Sequence, residues 1–196
     1  MSAEVKVLIQ GYAKQVGKGW KASSTVTLIK SGNKKIIFDP GCNREKLVLA
    51  LKKEKLKSSE IDFVVLSHGH IDHSGLTGVF ENADIITFEN LMYKKDNQLE
   101  FNPRIMGKDT CVIETPGHTS EHISLIVKTK KGTCIIAGDV FWWVDGEKQI
   151  IDINKMDDSH PKELNMKQLI KSRKLVLQKA DYVIPGHGLM FQVKKH

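Results

Sequence analysis

A layered α/β fold in a single domain, residues 1–196, is predicted by three features of the sequence. Short β-type segments recur along the chain, amphipathic helical segments lie between and after them, and no repeat, low-complexity tract or linker interrupts the pattern. A chain of this length can bury a full hydrophobic core. Its 40% hydrophobic and 27% charged residues are ordinary for a globular protein.

The elements follow in order. Val5 to Ile9, Thr25 to Ile29 and Lys35 to Asp39 read as strands joined by glycine-containing turns. Glu45 to Lys53 sets Leu47, Val48, Ala50 and Leu51 on one helical face, and Ile61 to Leu66 is a short apolar run suited to a buried strand. Cys111 to Thr115, Ile123 to Val127 and Thr133 to Ala137 are three further strands. A helix is predicted from Pro161 to Lys179, with proline in the first turn, where its missing N–H is tolerated. Leu164, Leu169, Ile170, Val176 and Leu177 supply its apolar stripe, and Tyr182 to Ile184 forms a last strand.

No run of about 18 apolar residues occurs, so no transmembrane helix and no membrane association are expected. Met1 to Gln10 alternates apolar and polar residues and reads as the first strand rather than a signal peptide. Cys42, Cys111 and Cys134 show no paired spacing, so no disulfide framework is expected and a reducing cytoplasm is the simplest setting. The formal net charge is +7, with lysines in short runs such as Lys34-Lys35, Lys52-Lys53 and Lys130-Lys131. Two readings fit that balance: solvated turns and helix faces, or attraction to a polyanion such as RNA.

The chemistry is carried by four short segments. His68-Gly69-His70-Ile71-Asp72-His73 follows the strand at Leu66, Gly117-His118 the strand at Thr115, Gly138-Asp139 the strand at Ala137, and Gly186-His187 the strand at Ile184. Each lies beside a glycine that lets the backbone turn sharply, and open α/β sheets place their sites at strand ends. Five of the eight histidines fall in these segments, with two aspartates. Imidazole and carboxylate together suit zinc, and iron or manganese can occupy the same mixed donor set.

His68-x-His70-x-Asp72-His73, followed by His118, Asp139 and His187, resembles the signature of the metallo-β-lactamase superfamily, and Asp39-Pro40-Gly41 resembles the family's early Asp-x-Gly turn. The resemblance implies an αββα four-layer sandwich with the site on one edge of its two sheets. It implies that His68, His70 and His118 hold one divalent ion, that Asp72, His73 and His187 hold a second, and that Asp139 bridges both. Asp39 would support the histidine loop without binding metal. A water between two such ions loses a proton near neutral pH and becomes the nucleophile of a hydrolase. Asp72 has a second possible duty there, orienting the nucleophile or relaying a proton.

Other features narrow the branch. Asp139 argues against antibiotic hydrolysis, and His70 argues against the flavodiiron branch, which carries glutamate there. The helical tail of glyoxalase II is not expected, nor the insertions of the β-CASP nucleases. Segments around the motif, Ser23 to Ile29, Thr115 to Thr119 and Ile184 to Gly188 among them, resemble a branch similar to both glyoxalase II and metal-dependent ribonucleases.

One leading function and two alternatives follow, in that order. The first is a phosphodiesterase cutting single-stranded RNA; Phe141-Trp142-Trp143 beside Asp139 would offer Trp142 and Trp143 to stack on bases, or would pack against a neighbouring loop. The second is hydrolysis of a small thioester or lactone, which a small enclosed cavity with few lysines would favour. The third is a mononuclear iron oxidoreductase resembling persulfide dioxygenases. His122 has two readings, a hydrogen bond near the site or loop packing at the surface. His160 and the terminal His196 are read as bystanders, and a homodimer is compatible with all of this.

Overall fold

A computed structural model of the chain describes residues 2–89, 91–157 and 162–194. Its elements are β1 (Glu4–Ile9), β2 (Tyr12–Val16), β3 (Gly19–Ser23), β4 (Val26–Ser31), β5 (Lys34–Phe38), α1 (Arg44–Lys53), β6 (Phe63–Val65), α2 (Ile71–Ser74), β7 (Asp84–Ile86), β8 (Leu91–Lys94) and β9 (Asn97–Glu100). Then come β10 (Thr110–Glu114), β11 (Ile123–Thr129), β12 (Gly132–Trp142), α3 (Met166–Lys179), β13 (Tyr182–His187) and β14 (Phe191–Gln192).

Among the described residues the strands form a seven-stranded sheet, β1-β4-β5-β6-β7-β8-β9, a five-stranded sheet, β10-β11-β12-β13-β14, and the separate ribbon β2-β3. Strand periodicity explains how they stack. Side chains alternate across a strand, so Ile36 and Phe38 of β5 enter a core between the sheets while Ile37 faces the other way. Ile136 of β12 likewise joins the inter-sheet core, and Ile135 points outward. Leu47 and Leu51 of α1 close over Leu28, Ile37 and Val64. Leu169 and Val176 of α3 close over Ile135, Ala137 and Val183. Helix, sheet, sheet and helix thus make the four layers of an αββα sandwich.

Several boundaries differ from the sequence reading. Val48 is 44% exposed, so the buried stripe of α1 is Leu47, Ala50 and Leu51. The C-terminal helix begins at Met166, where Asn165 Oδ1 accepts the Gln168 N–H at 3.1 Å and caps the first turn. The proposed start at Pro161, and both His160 and His196, lie outside the described residues. Neither β12 nor β13 ends before its functional residue: β12 continues through Asp139 to Trp142, and β13 through His187. Their pairing shifts register at Gly138, whose φ of +52° lets the strand bulge instead of ending. The ribbon β2-β3 and strands β7 to β9 were not read from sequence.

No cysteine is disulfide-bonded. Burial pushes the Cys134 thiol up to about 12, which leaves it an inert core group. Among the described residues no helix is long and apolar enough to cross a membrane.

Candidate metal centre

The functional segments arrive from both sheets at one edge of the sandwich. The β6 end carries His68, the following loop His70, α2 Asp72 and His73, the β10–β11 loop His118, and β12 and β13 bring Asp139 and His187. Close approach requires glycine at one point above all. A Cβ on Gly186 would collide with Oδ1 of Asp139, so only glycine lets β13 pass beside that carboxylate.

All seven predicted ligands converge. His68, His70, His118 and Asp139 offer donor atoms within 4.8 Å of one another, as do Asp72, His73 and His187. In the first group, His70 Nδ1 lies 2.8 Å from His68 Nε2 and 3.2 Å from His118 Nε2. Asp139 Oδ2 faces that group, 3.4 Å from His118 Nε2 and 4.0 Å from His68 Nε2. Its other oxygen, Oδ1, faces the second group, 3.3 Å from His73 Nε2 and 3.6 Å from His187 Nε2. Asp72 Oδ2 lies 3.2 Å from His187 Nε2. The carboxylate of Asp139 is therefore shared between the two groups.

The outward nitrogens fix how the rings are turned. Nδ1 of His73 bonds Asp39 Oδ2 at 2.8 Å, Nδ1 of His118 bonds Asp157 Oδ2 at 2.6 Å, and Nδ1 of His187 bonds the Tyr12 carbonyl at 3.1 Å. Nδ1 of His68 meets Ser67 Oγ at 2.9 Å, and that hydroxyl donates to Asp39 Oδ2 at 2.7 Å. His70 is reversed, with Nε2 on Glu163 at 2.8 Å. When each outer nitrogen carries the proton, each inner nitrogen is left as a lone-pair donor, the form a metal requires. Asp39 anchors this arrangement from a backbone φ of +49°, a conformation unusual for a residue with a side chain.

Two buried atoms show that this pattern fits metal rather than internal hydrogen bonding. His73 Nε2 and Asp139 Oδ1 have no hydrogen-bond partner, although they lie 3.3 Å apart. Buried polar atoms are rarely left so, and a cation between them satisfies both. Ligands held tetrahedrally at about 2.0–2.1 Å from zinc sit about 3.3 Å apart, within the spread of separations here. The donor set thus suits a divalent ion.

Electrostatics follow from crowding and burial. Burial opposes charge on His73, but the carboxylates of Asp139 and Asp39 outweigh it and hold its pKa well above the ordinary value. Burial likewise opposes charge on Asp139, yet His73 and His187 keep the carboxyl ionised, well below the usual range. For His68, burial and the neighbouring His73 drive the pKa well down.

Other residues were missed or left open. His122 is buried, its ring lies 5.2 Å from that of His68, and its Nε2 accepts the Asp139 N–H at 3.2 Å. Its Nδ1 then donates to Thr115 Oγ1 at 2.9 Å, and burial lowers its pKa to about 3. His122 is thus a neutral support for the Asp139 backbone rather than a surface group. Asp157 and Glu163 had no signal beyond a polar loop, because they lie far in sequence from the histidines they hold. Trp142 and Trp143 separate: consecutive residues face opposite sides, so Trp142 lines the cavity while Trp143, 4% exposed, packs with Phe141 under α3. Trp143 therefore has no access to a substrate.

The cavity beside the cluster measures about 390 Å³. His70, Asp72, His118, Asp139 and His187 form its floor, and Trp20, Trp142, Ile71, Ala13 and Ala22 its walls. Among the described residues no lysine or arginine lines it. In the β2-β3 ribbon Ala13 pairs with Ala22 and Gln15 with Trp20, on the cavity face; Lys14 pairs with Lys21 on the opposite face.

The profile of the metallo-beta-lactamase superfamily matches residues 20–88, which include the His68 to His73 segment. Metallo-beta-lactamase domain-containing protein 1 of Xenopus laevis is 32% identical over 201 residues, covering 98% of this chain and 82% of its own. An N-acyl homoserine lactonase of Bacillus cereus is 25% identical over 161 residues, covering 74% of this chain and 63% of its own. A solved structure of a metallo-beta-lactamase family protein from Thermus thermophilus shares the fold, with a TM-score of 0.67 at 16% identity, over 96% of this chain and 75% of that one. The chain belongs to the metallo-beta-lactamase superfamily, and it carries a His/Asp cluster that could hold metal.

Proposed function

We propose that this protein is a hydrolase of small thioesters or lactones that carry an apolar portion, working with two divalent ions, zinc by preference. The observation that carries this reading is the cavity: apolar walls with no lysine or arginine among the described residues, over a floor of possible metal donors. A phosphodiester substrate needs cations along its path, whereas here Lys14 and Lys21 are turned to the far face of the ribbon. The resemblance to a lactonase over 74% of the chain points the same way.

His68, His70, His118 and Asp139 would hold one ion, and Asp72, His73, His187 and Asp139 the other. Divalent ions in such a place act as Lewis acids and lower the pKa of water, which allows hydrolysis near neutral pH. Trp20, Trp142 and Ile71 bind the apolar portion and exclude water from the floor. Asp72, 25% exposed against 6% for Asp139, is the cluster carboxylate open to the cavity and is placed to carry a proton outward.

The test offers metal-loaded protein a series of acyl thioesters and lactones of increasing chain length, with end-labelled single-stranded RNA in parallel. Asp139→Ala and chelated protein are the controls. Ester turnover that rises with acyl length and is lost in both controls supports the reading. Metal-dependent RNA cleavage with no ester turnover overturns it in favour of a nuclease. Oxygen uptake by protein holding one iron overturns it in favour of the oxidoreductase.

A further inference from the structure

The outer partners of the two metal positions come from different parts of the molecule. His73 and His187 lean on Asp39, at the end of β5, and on the Tyr12 carbonyl at the start of β2. His118 and His70 lean instead on Asp157 and Glu163, which follow β12 and precede α3. Residues 153–157 belong to no strand or helix, so the loop that leads to Asp157 needs a support from outside itself.

Arg173 supplies that support. It is 2% exposed, in the middle of α3, and its guanidinium donates in three directions. Nη1 reaches the carbonyls of Ile153 at 3.1 Å and Lys155 at 2.6 Å, and Nε reaches the Val140 carbonyl at 3.0 Å. The guanidinium also lies 5.9 Å from the Phe141 ring centre. β12 pairs with β13 on both sides of Val140, at Gly138 and at Trp142, so Val140 acts as the anchor and the loop is what gets positioned. A planar fork with fixed donor directions does this where a lysine cannot.

We infer that Arg173 is a positioning residue for one of the two metal positions, acting through the 153–157 loop and the buried Asp157 carboxylate on the ring of His118. Its hydrogen bonds go to backbone carbonyls and not to any of the seven donor side chains, and the position served by His73 and His187 has its outer partners elsewhere, on Asp39 and the Tyr12 carbonyl. The two ions are thereby held by separable supports. This inference rests on the two-ion reading proposed above.

The test is a zinc titration of full-length protein against a chromophoric chelator, with cobalt absorption spectra as a second readout. Wild type is compared with Arg173→Lys, Asp157→Asn and the double variant. Arg173→Lys is expected to weaken one ion about 10–100-fold, the usual effect of removing an outer partner, and to leave the other within about twofold. Because Arg173 acts through Asp157, the double variant is expected to be no weaker than Asp157→Asn alone. Equal weakening of both ions, or a double variant weakened by the product of the single effects, overturns the inference. So does unchanged affinity, whether wild type holds two ions or one. A wild type that binds one ion overturns the two-ion reading separately, and the loss of that ion's affinity in Arg173→Lys still sustains the positioning role. If Arg173→Lys does not fold, Asp157→Asn decides: one ion weakened sustains the inference, and both or neither overturns it.

Discussion

Asp139 is the residue on which both donor groups depend, since its two oxygens face different histidines. Replacing it with alanine removes a donor from each group and leaves His73 Nε2 facing an emptied space; binding of both ions is expected to fall by about 100-fold or more, read by chelator competition. His73 adds a second expectation. Its pKa is held well above the ordinary value in the metal-free arrangement, with burial outweighed by Asp139 and Asp39. A metal takes the neutral ring, so metal binding competes with the proton that these carboxylates favour on it. Calorimetry of metal loading in buffers of different ionisation enthalpy should show net proton release at pH 7, and a lack of release would contradict the assignment. That these seven residues converge could be expected from sequence because their glycine-containing segments resemble the superfamily's signature. The side of the chain that Trp142 and Trp143 face could not, because it depended on where β12 ended, and a bulge at Gly138 extended that strand beyond the glycine that looked like its terminus.

Among the elements, the β2-β3 ribbon shows most clearly what a sequence hides. Its cavity face carries the polar Gln15 among Ala13, Trp20 and Ala22, and its other face pairs Lys14 with Lys21, so no strong alternation of apolar and polar residues marks it. It exists because its inner face covers the metal centre. Trp20 remains 52% exposed, so truncation to alanine forfeits only part of its burial, about 1 kcal/mol. For the longest acyl substrate, KM is expected to rise about fivefold in Trp20→Ala with kcat little changed, which steady-state kinetics can check. The junction of the β10–β11 loop with α3 allows no such tolerance. A Cβ on Gly117 would meet the Leu169 backbone, and its φ of +143° disfavours any side chain. Gly117→Ala is expected to lose about 3 kcal/mol in denaturant unfolding, and a loss within experimental error would contradict this packing. The amphipathic face of α1 was legible from spacing except at Val48, which lies on the shoulder of the stripe where spacing alone does not separate buried from exposed.

At the scale of the molecule, the metal centre adds to what already joins the two sheets, an apolar core and hydrogen bonds such as Thr25 N–H to the Gly186 carbonyl at 2.7 Å. His68, His70, Asp72 and His73 follow the seven-stranded sheet, while His118, Asp139 and His187 belong to the five-stranded one. An ion bound between them links the halves of the sandwich, and its removal loosens both. With metal at about 100 times its dissociation constant, each position contributes about 2.7 kcal/mol. Stripping one ion should therefore lower the melting temperature by about 5–10 °C. The layered architecture was legible because strand and helix periodicities recur along the whole chain. The outer supports were not, because Asp157 lies 39 residues from His118 and Glu163 lies 93 from His70, and only the folded chain brings them together. The most direct test of the shared metal centre is elemental analysis of purified protein after equilibration with zinc, beside Asp139→Ala. Two ions per chain in the wild type, with loss of both in the variant, is the result the geometry predicts. A wild type that retains no ion, or a variant that keeps both, would contradict it.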